Sequence, residues 1–187
     1  MTATTETDFK SLTGTYSLDP NHSRIGFVAR HAMVTKVRGS FNDFRGTVTI
    51  DGENPSRSSA EVVIQVASID TRNAQRDEHL RTNDFLAAEQ YPQITFASTA
   101  VAAAGEGEFA LSGDLTIRGV TRPVTIPVSY EGSATDPYGN VRLGFEGSLT
   151  ISRKDYGITW NAPLETGGVL VSDSIVLELE VSAIKSA

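Results

Sequence analysis

Three histidines, His22, His31 and His79, and the run Arg76-Asp77-Glu78-His79-Leu80-Arg81 are the residues of this chain best suited to chemistry. Asp77 beside His79 resembles an acid–base pair, because a carboxylate can orient an imidazole for proton transfer. On a helix, however, Asp77 and Arg81 stand four residues apart and pair on one solvated face. A further reading has Arg76, His79 and Arg81 meeting a polar head group. No two histidines have the short spacing of a zinc site. The chain has no cysteine, which excludes disulfides, thiolate metal sites and a cysteine nucleophile. No G-x-S-x-G turn presents a serine nucleophile, and no phosphate-cradling glycine motif is present. The expectation is a protein that is not an enzyme, with no catalytic residues, no metal and no resident cofactor.

Charge and composition narrow the partners. Lys and Arg total 16 against 23 Asp and Glu, a net charge of −7. That disfavours nucleic acid, which needs a basic face, and on average disfavours an anionic membrane. Hydrophobic residues make up 39% of 187 residues, which fits one globular domain with a sizeable core. The N-terminus lacks a basic region followed by an apolar one, and no stretch reaches the length of a membrane span. The expectation is a cytoplasmic protein with no stable membrane insertion.

What must position any site is a set of strands. Residues 1–12 are polar and read as a flexible tail, and residues 13–187 as a single domain. From Thr13 onward apolar and polar residues alternate with a period of two, as in half-buried strands. Phe41 and Phe44 break that alternation around Asn42-Asp43, which predicts a bulge. Turns are predicted at Asp51–Pro55, Arg118–Val120 and Asp136–Asn140. Pro123 and Pro127 cannot donate to a ladder, so their strand is expected to be an edge or to be bulged. Residues 71–90 form the one helical segment, with cap signals at Asp70–Asn73 and Thr82–Asp84. The fold class is all-β, with eight to ten antiparallel strands in a barrel or sandwich. An eight-stranded barrel has room inside for one small ligand.

An ordered series of motifs narrows this further. It runs Leu18-Asp-Pro-Asn-His-Ser23, Gly26-Phe27, His31, Val37-Arg-Gly-Ser-Phe41 and Ser68-Ile-Asp-Thr71. It continues with Arg76-Asp-Glu-His-Leu80, Asp84-Phe85 and Tyr91-Pro-Gln-Ile-Thr-Phe96. Its last members are Gly113–Val124 and Ser152-Arg-Lys-Asp-Tyr-Gly-Ile158. The set resembles the YceI-like family over roughly residues 15–183. The resemblance implies an extended, lipocalin-like antiparallel barrel with a long internal pocket. It implies non-catalytic binding, storage or transport of a polyisoprenoid or similar long-chain amphiphile, such as an isoprenoid quinone or a prenyl phosphate. Many relatives are periplasmic. On that reading Phe27, His31, Phe41, Phe44, Leu80, Phe85, Phe96, Phe145 and Trp160 line the pocket. Arg76, Asp77, His79 and Arg153 contact a polar head at its rim. Two alternatives stay open: a lipid-modifying enzyme using Asp77 and His79, and a stress-response scaffold with a filled barrel. A homodimer through a proline-bearing edge or an apolar mouth is also left open.

Overall fold

The structure, a computed structural model, describes residues 9–165 and 168–186. Most of the tail expected at residues 1–12 lies outside them. Phe9–Leu12 forms a short 3-10 turn with Leu12 buried. It folds because Tyr16, fully buried, donates its hydroxyl to the Leu12 carbonyl at 2.7 Å.

Eleven strands follow among the described residues. They are β1 (Gly14–Leu18), β2 (Arg24–His31), β3 (Thr35–Phe41), β4 (Phe44–Ile50), β5 (Ser59–Gln65) and β6 (Ile69–Asp70). Then come α1 (Ala74–Leu80), β7 (Gln93–Gly105), β8 (Glu108–Ile117), β9 (Val120–Thr135), β10 (Val141–Ser152) and β11 (Ser174–Lys185). The sequence expectation of eight to ten strands counts staves of a barrel rather than these segments. The pairs β1–β2, β3–β4 and β5–β6 each continue one stave across a short break. Where Phe41 and Phe44 predict a bulge, the stave instead breaks at Asn42-Asp43, and the extra residues are on the partner, 65–68 between Ile64 and Ile69.

Eight staves therefore run up and down in antiparallel order, and the last closes on the first. Tyr16 pairs with Lys185 and Leu18 with Ala183, while Leu177 pairs with Phe27. Closure pairs the two outer staves, which removes the full-length edges that an open sheet would expose to aggregation. β9 lies between β8 and β10, so the edge expected at Pro123 and Pro127 is a local one within the closed barrel. The β9–β10 ladder stops at Val128, opposite Gly147. Both prolines fall beyond that point, where β9 has no ladder on its β10 side.

Two details of the sequence shape the barrel. Arg118 and Gly119 both have positive φ, 51° and 71°, the geometry of a two-residue turn whose twist matches the flanking strands. At Gly113 the Phe96 ring lies where a Cβ would stand, 2.5 Å from it. Only a glycine lets that ring lie flat on the neighbouring strand.

One end of the barrel carries Phe9–Leu12 and the connections 51–58, 106–107 and 136–140. The other carries the β2–β3 turn, the helical connection 71–92 and the long connection 153–173. The buried core joins strand residues such as Ile25, Phe44 and Leu143 to Phe85, Tyr156 and Ile158 from those two connections.

Candidate ligand cavity

The inward residues do not fill the barrel. They surround a cavity of about 230 Å³. Its walls are apolar and include Phe41, Phe96, Phe109, Ile126, Leu143 and Phe145. At one end it is bounded by Phe9, Leu12 and residues of the 51–59 connection. Phe9 stacks edge-on to Phe109 at 5.8 Å and against Tyr130 at 5.5 Å, so this short turn sits over the interior. Asp51 and Glu146 are its charged wall residues, and no Lys, Arg or His of the described chain takes part. Every buried side-chain polar atom of the described residues has a hydrogen-bond partner. No orphaned donor therefore waits inside for a polar ligand atom. The interior offers dispersion contacts and removal from water, and little directional chemistry.

Of the residues expected at the pocket, Phe41, Phe96 and Phe145 are in these walls. Phe44 is buried in the core outside them, and Phe27 packs on Phe41 at 5.7 Å. Leu80 packs against the core from α1. His31 is exposed at the end of β2, where it bridges to Val171.

The structure gathers Phe85, Trp160 and His79 elsewhere, at the end closed by the 71–92 and 153–173 connections. His79 meets Trp160 edge-on at 4.9 Å and Phe85 at 5.0 Å. Its Nε2 lies 2.8 Å from Asp84 Oδ2. These side chains stopper that end of the barrel.

Of the polar residues expected at a rim, His79 is held by Asp84, while Arg76, Asp77 and Arg153 bond to backbone groups. Asn73 caps α1 by accepting from the Arg76 N–H at 3.0 Å. Asp77 is buried and accepts from the Thr71 N–H at 2.8 Å and from the Thr71 hydroxyl. Arg76 donates to the Thr71 hydroxyl and carbonyl. Arg81 donates to the carbonyls of Ala67 and Ile69. The Asp77–Arg81 surface pair expected from helical spacing is replaced by these bonds, which tie α1 to the end of β6. Asp77 and His79 face different partners, so they form no acid–base pair here.

Arg153 is buried, and its guanidinium donates to the carbonyls of Ile158, Trp160, Val171 and Ser172 at 2.8–3.3 Å. Burial pushes it below the ordinary arginine value, against the opposing charge of Asp173.

Sequence reasoning missed Phe9, Leu12, Phe109 and Ile126 as wall residues. Phe109 and Ile126 carried the right signal, the parity of their strands. Phe9 and Leu12 carried only an apolar pair three apart in a polar stretch.

The comparisons with known proteins agree with this architecture. The YceI-like domain model matches residues 16–183. A UPF0312 protein of Ectopseudomonas mendocina is 39% identical over 152 residues, covering 80% of each chain. The UPF0312 protein PA0423 of Pseudomonas aeruginosa is 42% identical over 151 residues, covering 80% of this chain and 78% of its own. Among solved structures, Burkholderia cenocepacia BcnA superposes with a TM-score of 0.78 at 27% identity, covering 88% of this chain and 98% of its own. A polyisoprenoid binding domain from Saccharophagus degradans superposes at 0.71 with 17% identity, covering 91% and 98%, and shows the shared fold. With the family model spanning all eight staves and the relatives above 30% identity, this chain belongs to the YceI-like domain family.

Proposed function

We propose that this chain binds one long-tailed amphiphilic lipid of polyisoprenoid type inside the barrel and carries or stores it without transforming it. The observation that carries the reading is the apolar cavity enclosed by the eight staves. A hydrocarbon tail entering it leaves water at a gain of about 0.8 kcal/mol per buried CH₂. The absence of cations from the described walls suits a tail rather than a charged head. The polyisoprenoid binding domain that shares the fold supports the same ligand class.

The test is native mass spectrometry of the protein purified from expressing cells, followed by organic extraction. The expected result is a prenyl lipid bound one per chain and recovered unchanged. Protein that carries no lipid, and takes up no prenyl quinone when offered one, would overturn the reading.

A further inference from the structure

The β2–β3 hairpin holds three locally unfavourable features that the cavity does not explain. Arg30 and Lys36 stand directly opposite each other in the ladder. Like charges in that position destabilise a hairpin. Among the described residues neither side chain forms an ion pair, whereas Arg24 and Arg38 share Glu178. Next, the turn between the strands uses Ala32 and Met33 at φ 50° and 63°. That left-handed region favours Gly, Asn or Asp, and other residues adopt it at a cost. Finally, the tip is apolar and unburied: Met33 is 60% exposed and Val34 75%. Met33 lies against Gly168, one residue before Val169, which is itself 41% exposed.

Along the hairpin itself the charge is one-sided, although Glu178 of β11 pairs with Arg24 and Arg38 and Glu165 lies on the connection beside Met33. From Ser23 to Phe41 the chain carries Arg24, Arg30, Lys36 and Arg38 and no Asp or Glu, inside a protein of net charge −7.

We propose that this tip docks on the surface of an anionic lipid bilayer. Met33 and Val34 enter the boundary between headgroups and acyl chains, and Arg30 and Lys36 meet lipid phosphates. An anionic surface offsets the repulsion between the two cations, and the boundary removes the apolar tip from water. The negative net charge opposes contact only weakly, because at physiological salt exposed charges are largely screened beyond about 8 Å. This inference stands apart from the cavity reading, since Arg30, Met33, Val34 and Lys36 are not wall residues.

The test is co-sedimentation of the full chain with vesicles of phosphatidylcholine alone and of phosphatidylcholine mixed with phosphatidylglycerol. Binding is expected to the mixed vesicles only, and to weaken as salt rises. Arg30→Gln with Lys36→Gln weakens it by about fivefold per cation removed. Met33→Ser or Val34→Ser weakens it by about tenfold, the loss of one buried apolar side chain. The double glutamine variant melts no lower than the parent, because it removes a like-charge pair. Equal binding to both vesicle types, or none to the mixed ones, would overturn the proposal. So would self-association without vesicles that the serine variants abolish, which would assign the tip to a second copy. Vesicle binding reads the tip and co-purified lipid reads the cavity, so either can fail while the other stands.

Discussion

Asp136, Arg142 and Asp19 form a charged cluster at the end of the barrel where Phe9 sits. Arg142 donates to Asp136 at 2.9 Å and to Asp19 at 2.7 Å, and His22 lies 2.7 Å from Asp19. Burial raises the Asp136 carboxyl, but bonds from Arg142, Asn140 and the Tyr138 N–H outweigh it and bring it down to about 2. Asp19 is lowered as well, chiefly by Arg142. A carboxyl held below its ordinary 3.8 stabilises the fold above that pH and loses the contribution as pH falls toward about 2. Melting temperature is therefore expected to drop with acid in that window, and Asp136→Asn is expected to flatten the drop. An identical acid slope in Asp136→Asn would refute the assignment. The cluster joins residues far apart in the chain, so no local spacing announced it. Asp77 teaches a related lesson: its helical spacing to Arg81 was legible, but the buried Thr71 backbone is the stronger partner.

At the scale of elements, the 153–173 connection has isolated bridges in place of a continuous ladder, at His31–Val171 and Pro163–Val169. Arg153 gathers it further, its fork donating to four carbonyls at once. Arg153→Met would leave the Ile158, Trp160 and Ser172 carbonyls without that donor, while Val171 keeps Asn161. A loss of about 3 kcal/mol is expected in urea unfolding, since each buried polar group left unpaired costs about 1–3 kcal/mol. Arg153→Lys recovers only part, because an ammonium is a point donor without the planar fork. A loss under about 1 kcal/mol for Arg153→Met would mean that the connection is held by its bridges, Asn161 and its apolar contacts without Arg153. The short helix α1 depends on the same logic. Seven residues are too few for a stable isolated helix, so Asn73 caps it and Asp77 and Arg81 tie it to residues 67–71.

For the whole molecule, the cavity exists because the inward faces of eight staves are wider than their side chains can fill. Leu111→Trp would place extra volume in the wall of that space. The expected outcome is less lipid recovered per chain, with a stability change within about 1–3 kcal/mol, the usual range for overpacking. Lipid content equal to the parent's would show that the ligand lies elsewhere. The same view separates the two ends: one bounded by Phe9 and the 51–59 connection, the other stoppered by His79, Phe85 and Trp160 and carrying the exposed hairpin tip.

The sequence by itself determined the strand-rich class, the interruption at Asn42-Asp43, most turns, the helical segment and the family. These are local or ordered features: alternation of period two, turn chemistry and motif order act between near neighbours. Only the tertiary structure decided closure of the sheet, the cavity and the roles of the charged residues. Parity says which residues share a face, but not how deep along a closed barrel each one lies. Phe41, Phe96 and Phe145 line the cavity, while Phe27, Phe44 and Phe85 with the same apolar character fall above it or in solid core. Arg153 and Asp77 likewise look like rim residues until the backbone groups they satisfy are brought to them by the fold.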